Sequence, residues 1–343
     1  PLLTLRARGV ERQVNAAPVV GAQRRMEPAH ARVLEHHVER PPQRLRRRAQ
    51  ISAHQAGPQC GIRTARRRAY RRATPPPGHR AIGHSFYPLQ TSTTQIGGDF
   101  VAVPSLTTPG AEPHDIELTP RDVASVSKAT LVVFEKGLQG AVDKAVQSQA
   151  GDRGLDVAPA AKLNLSLAPG TTDPHFWLDP QRYSEVARAI ADRLARVDPA
   201  HRADFERNAR TFEDQLAALS EELTTGLATC QRKDIVTSHS AFGYLAQRFG
   251  MRQIAINGLS PGAEPRAGTL AVISVYVRTH GVTTIYAETL VSPAIAQTVA
   301  KETGARMATL DPIEGLTDRS AGKDYFEVMR SNLSALQAGQ GCT

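Results

Sequence analysis

Three histidines draw attention by where they fall in the chain. His114 lies in a loop after an apolar run, His175 sits four residues before a capped helix, and His239 closes a β-rich run. Two carboxylates, Glu288 and Asp311, end further β-rich runs in the same way. Three imidazoles and one carboxylate would complete a tetrahedral site for a borderline-soft divalent cation, with zinc first among the candidates. The intervals of 61, 64 and 72 residues between His114, His175, His239 and Asp311 match no compact finger or His-Glu-x-x-His pattern. The donors must therefore converge through the fold.

The elements that would bring them together read as α/β units. Phe100–Val103, Leu131–Phe134, Ile235–Ser238, Thr283–Ala287 and Arg306–Leu310 are short β-rich runs that alternate with helical patterns, which predicts mainly parallel sheets. In open sheets of this kind, ligands bind beyond the carboxyl ends of the strands, where His239, Glu288 and Asp311 fall. Thr119-Pro120-Arg121-Asp122 and Asp179-Pro180 are helix starts, with a capping side chain followed by a proline at the first helical position. After Pro199, Phe205, Ala209, Phe212, Leu216, Leu219, Leu223 and Leu227 recur at helical spacing, so one long helix could serve as a strut between two domains.

Length agrees with two domains, since a single core usually stops growing near about 250 to 300 residues and the chain has 343. No uninterrupted apolar run approaches the roughly 18 to 20 residues needed to cross a bilayer. The formal charge of +9 is unevenly placed. Residues 1–80 hold 18 Arg and four Glu with no Lys or Asp, which is +14, and leave 24 basic against 29 acidic side chains for residues 81–343. A nucleic-acid reading of the high pI therefore applies only to the Arg-rich segment. Its charge runs lack interleaved aromatic residues, so it is read as a disordered, solvated stretch over residues 1–82, with no nucleic-acid partner. It also lacks the continuous apolar core of a signal peptide, and none precedes Cys60 as a lipid anchor would need.

Six segments in order resemble one family. Gly110-Ala111-Glu112-Pro113-His114-Asp115, Asp173-Pro174-His175-Phe176-Trp177-Leu178-Asp179-Pro180 and the run Thr237–Leu245 around His239 are similar to the metal-site segments of zinc-binding solute receptors of ABC importers. Gly258–Pro261, Glu288–Pro293 and Leu310–Leu316 follow the same order, and the resemblance covers roughly residues 84–343. It implies two α/β lobes, 83–198 and 230–343, joined by a rigid helix within 199–229, with Zn²⁺ in the cleft between them. It further implies His114, His175 and His239 as metal ligands with Asp311 as the fourth, and Glu288 as a support of the cleft. The manganese-preferring branch typically carries a carboxylate at the third position, so the imidazole of His239 favours zinc over manganese. The implied partners are Zn²⁺ and a membrane permease, and the implied setting is extracytoplasmic, for a monomer without catalytic activity.

Three cysteines allow three single pairings, and the family's habit of tying its second lobe favours Cys230 with Cys342. Some features depart from the family. The stretch 162–168 contains no His, so a metal-scavenging loop is absent, and Arg266 stands where a capping Ser or Thr is usual. His84–Pro88 reads as the end of a first strand whose beginning the Arg-rich text does not supply, leaving the first lobe incomplete. His201 and His280 read as solvent-facing. Two other functional classes compete with the receptor. A zinc hydrolase would use a metal-bound water with Glu288 as the only candidate base, and a metal-dependent surface adhesion protein on the same scaffold would be told apart by tight partner binding; within the receptor class the alternative cargo is manganese or another divalent metal.

Overall fold

The computed structural model describes residues 80–343; the Arg-rich segment before Arg80, with Cys60, lies outside the described residues. The first lobe is built from β1 (Arg80–His84), α1 (Tyr87–Gly97), β2 (Val101–Ala102), α2 (Pro120–Lys128), β3 (Leu131–Phe134), α3 (Gly140–Ala145), β4 (Gly154–Asp156) and α4 (Ala158–Ala161). A small antiparallel pair, β5 (Ser166–Ala168) and β6 (Thr171–Thr172), precedes α5 (Pro180–Val197). The four long-range strands pair in parallel in the order β2-β1-β3-β4. Then comes α6 (Arg202–Leu227), and after it β7 (Asp234–Thr237), α7 (Gly243–Arg248), β8 (Arg252–Ala255), α8 (Ala267–Thr279), β9 (Thr284–Ala287), α9 (Ala294–Thr303), β10 (Arg306–Thr309) and α10 (Tyr325–Gln340). These strands form a second parallel sheet in the order β10-β9-β7-β8.

The first strand corrects the sequence-based expectation of a truncated lobe. β1 begins at Arg80 and is central, with Arg80 and Ala81 paired to β2 and Ile82 to His84 paired to β3. Its residues have weak strand propensity, and Gly83 has no side chain to pack, but neighbours on both sides supply what propensity does not. The helix starts form as their residues dictate. Thr119 and Asp122 make a reciprocal capping box at α2, and the Asp179 carboxylate accepts from the Gln181 amide at α5.

Helix α6 has 26 residues, about 39 Å at 1.5 Å per residue. Its buried stripe is Phe205, Ala209, Phe212, Leu216, Leu219, Leu223 and Leu227, and it packs on α1, α5 and α10. The core around it is shared. Ile82, Leu131 and Val133 from the first sheet and Ile235, Tyr286 and Leu310 from the second belong to one cluster with α5, α6 and α10. Each sheet has its own outer core as well, Val126, Val132 and Val142 on one and Val236, Ile273 and Ile285 on the other.

Polar contacts stitch the lobes at the same seam. Trp177 donates from Nε1 to the Pro312 carbonyl at 2.7 Å, and Tyr325 donates to the Trp177 carbonyl at 2.6 Å. Arg248 on α7 grips the Asp179 carboxylate with Nε and Nη2 at 2.9 and 3.0 Å. All rings at this junction are buried, so removing the indole N–H leaves a carbonyl without its donor. Trp177→Phe is expected to lower unfolding free energy by about 1–3 kcal/mol, read as a shift of the urea midpoint at constant slope.

His84, at the end of β1, is fully buried, and burial pushes its imidazole down to about 3. An unfolded chain binds a proton at this ring below about pH 6.5, while the folded chain does not until near pH 3. The contribution to stability is therefore complete above pH 6.5 and declines as pH falls, by about 1.4 kcal/mol per unit. In His84→Gln, the stability lost between pH 7.5 and pH 5 is expected to shrink by about 2 kcal/mol; an unchanged difference in urea titrations at the two pH values would count against this assignment.

Candidate metal centre

The three histidines come together because three separate segments end at one point of the seam. His114 rides on the loop between β2 and α2, which is anchored where Gln139 donates to the Thr107 hydroxyl and to the Pro113 carbonyl, at 3.1 and 3.0 Å. His175 follows β6 and precedes the turn into α5. His239 lies two residues past β7, and the pairing of Thr237 with Tyr286 continues to place it beside Glu288, just past β9.

The fourth group at that point is Glu314. Its Oε1 lies 3.2 Å from His114 Nε2, 3.0 Å from His175 Nε2 and 3.3 Å from His239 Nε2. The imidazoles themselves approach to 3.3 Å between His114 and His175 Nε2 and 3.4 Å between His175 and His239 Nε2. Donors about 2.0–2.1 Å from a tetrahedral zinc are about 3.3 Å from one another, so these spacings fit the edges of such a coordination polyhedron. All four side chains are nearly inaccessible, at 3% or less exposed.

Two of the three rings are oriented from behind. His175 donates from Nδ1 to Asp173 Oδ1 at 2.7 Å, and Asp173 Oδ1 also accepts the His175 amide at 3.0 Å. His239 donates from Nδ1 to Glu288 Oε2 at 2.6 Å, and its amide reaches Glu288 Oε1 at 3.0 Å. A proton fixed on Nδ1 leaves the Nε2 lone pair facing the centre and makes it a better donor to a cation. Glu288 thus touches the ring nitrogen remote from the other donors.

Asp311, which the sequence points to as the fourth ligand, is not in this group. Its Oδ1 accepts the Ile313 amide at 2.8 Å and its Oδ2 the Thr289 hydroxyl at 3.0 Å, while its backbone is clasped by Asn332 at 2.9 and 2.7 Å. Asp311 shapes the turn after β10. Within that turn Ile313 takes a left-handed conformation, φ 58°, rare for a β-branched residue, and Glu314 emerges toward the histidines. The sequence does hold a signal for it, a second carboxylate in Leu310-Asp311-Pro312-Ile313-Glu314, but nothing in the residue types announces the reversal.

Electrostatics match a place made for positive charge. Burial would raise the Glu314 carboxyl, but the His239 charge and the hydrogen bonds from three imidazoles hold it well below the usual range. Burial would lower both His175 and His239, yet carboxylate partners raise them: Asp173 and Glu314 for the first, Glu288 and Glu314 for the second. Glu112, whose Oε1 accepts the His114 amide at 3.1 Å, is pushed up to about 8 by burial and by Glu314. Protons thus occupy the charge balance that a cation would replace, and metal binding here must release them.

Two parallel-sheet lobes bridged by one long helix, with donors from both halves meeting at their seam, define a two-lobed binding protein that holds its ligand between lobes. The family model "Zinc-uptake complex component A periplasmic" matches residues 82–339, and the chain belongs to this ZnuA family. The zinc-binding protein AdcA of Streptococcus pyogenes is 34% identical over 280 residues, covering 74% of this chain and 54% of AdcA. The chain thus spans about half the length of that relative. The high-affinity zinc uptake system protein ZnuA of Bacillus subtilis is 32% identical over 272 residues, covering 74% and 85%. Among solved structures, the Zn(II)-bound ZnuA-like domain of Streptococcus pneumoniae AdcA superposes with a TM-score of 0.67 at 35% identity, covering 77% of this chain and 99% of that one. The laminin-binding protein Lmb of Streptococcus agalactiae, described as an adhesin with metal-transporting activity, gives 0.70 at 33%, covering 76% and 99%.

Proposed function

We propose that this chain is a zinc receptor: it binds Zn²⁺ outside the cytoplasmic membrane through His114, His175, His239 and Glu314 and delivers it, as a monomer, to the permease of an ABC importer. The observation that carries this reading is Glu314 Oε1 at 3.0–3.3 Å from the Nε2 atoms of all three histidines, with the four buried donors all within 4.8 Å of one another. Nitrogen-rich donors favour zinc over the harder manganese ion. The zinc-binding names of the relatives support the same cargo. No described helix is long and apolar enough to cross a membrane.

A hydrolase is disfavoured on chemical grounds. Four protein donors close a tetrahedral site, and Glu288, the one candidate base, is committed to the Nδ1 and backbone of His239. Zinc-loaded protein is accordingly expected to turn over activated esters no faster than free zinc.

The deciding experiment is competition with a chromophoric chelator on the full chain. One tightly held Zn²⁺ per chain with much weaker Mn²⁺ supports the receptor; no stoichiometric metal, or tighter Mn²⁺, refutes it. A second reading, adhesion, is favoured by the laminin-binding relatives. Binding of the metal-free chain to immobilised laminin would support it.

A further inference from the structure

The four donors are buried, so an ion needs a way in. A cavity of about 390 Å³ opens between the two lobes, walled on one side by Thr91 and Thr94 of α1 and by Thr108, and on the other by Lys323, Asp324 and the Glu314 turn. Of the four donors it is Glu314 alone that lines it; His114, His175 and His239 lie behind. A larger groove of about 520 Å³ between α5 and α6, lined by Ser220 and Glu221, touches none of them.

We infer that the cavity between α1 and the Glu314 turn is the port through which a hydrated divalent cation enters and leaves, and that Glu314 is the first protein ligand it meets. This rests on the receptor reading. The size is sufficient, because six waters at about 30 Å³ each need about 180 Å³. The lining is suited to a cation that still carries its water. The hydroxyls of Thr91 and Thr94 and the amide oxygen of Gln95 are acceptors suited to coordinated waters, and Asp324 and Glu314 supply negative charge against the single ammonium of Lys323. Carboxylate oxygen also exchanges readily with water on a hydrated ion, after which the imidazoles displace the remaining waters one at a time.

The test separates rate from affinity. Thr91→Trp, and Thr94→Trp on the exposed side of the same wall, fill the cavity without altering a donor. Zinc transfer to and from a chromophoric chelator, followed by stopped flow on the full chain, is expected to slow at least tenfold in both directions in either variant, with Kd within about twofold. Ser220→Trp, in the groove that touches no donor, should leave the rates unchanged. Unchanged rates in both port variants, or lost affinity with an unchanged association rate, would overturn the port while leaving the receptor intact. Absence of stoichiometric zinc in the unsubstituted chain would instead remove the receptor reading, and the port with it.

Discussion

Glu314→Gln is expected to weaken zinc binding by at least about a hundredfold, while Asp311→Asn leaves it within a few-fold. The first substitution keeps the side chain's size but removes the negative charge that faces all three Nε2 atoms at 3.0–3.3 Å. Changes behind a ligand typically cost about 10–100-fold in affinity, so loss of a charged donor belongs at or beyond the upper end of that range. Asparagine at 311 can still accept the Ile313 amide through Oδ1, while its Nδ2 donates to a Thr289 hydroxyl that turns from donor to acceptor, so the turn that delivers Glu314 is kept. Chelator competition on both variants checks the pair, with thermal melting to show that each is folded. The reverse order, tight binding in Glu314→Gln and loss in Asp311→Asn, would restore Asp311 as the ligand.

Reduction of the disulfide between Cys230 and Cys342 is expected to cost about 4–5 kcal/mol of stability, from the chain-entropy relation for a loop of 112 residues. The bond joins the end of α6 to the end of α10, so it encloses the whole second lobe. Urea titration with and without a thiol reductant, and of Cys342→Ser, measures the loss. Neither cysteine contacts a metal donor, so zinc affinity at low urea should persist within a few-fold. The bond's persistence requires an oxidising compartment, which agrees with the proposed setting outside the cytoplasm. A difference below about 1 kcal/mol would mean that the reduced unfolded chain is already constrained.

The sequence is most legible where local chemistry and tertiary structure agree. Asp179-Pro180 and Thr119-Pro120 announce their helices by capping and by proline at the first position, and the α6 stripe can be counted from the spacing of its apolar residues. His114, His175 and His239 are legible as candidates because a loop histidine beside a strand end has few structural tasks. β1 is illegible for the opposite reason: Arg80-Ala81-Ile82-Gly83-His84 has little strand character of its own and is held by partners on both sides. That Glu314 rather than Asp311 faces the histidines is not legible, because it depends on one backbone reversal at Ile313. Residue identity favours the first carboxylate after the strand; the turn geometry brings the second.

The core shared by the two lobes also sets how the protein should come apart. Aliphatic and aromatic side chains from both sheets interlock with α5, α6 and α10 in one cluster, and Trp177 reaches across to the turn that carries Glu314. Neither lobe can then lose its inner face without exposing the other's. Calorimetry should record a single endotherm whose van't Hoff and measured enthalpies coincide, and zinc should raise its midpoint by mass action. Amide exchange in α10 should slow along with exchange at the histidine loops, because a single opening event exposes both.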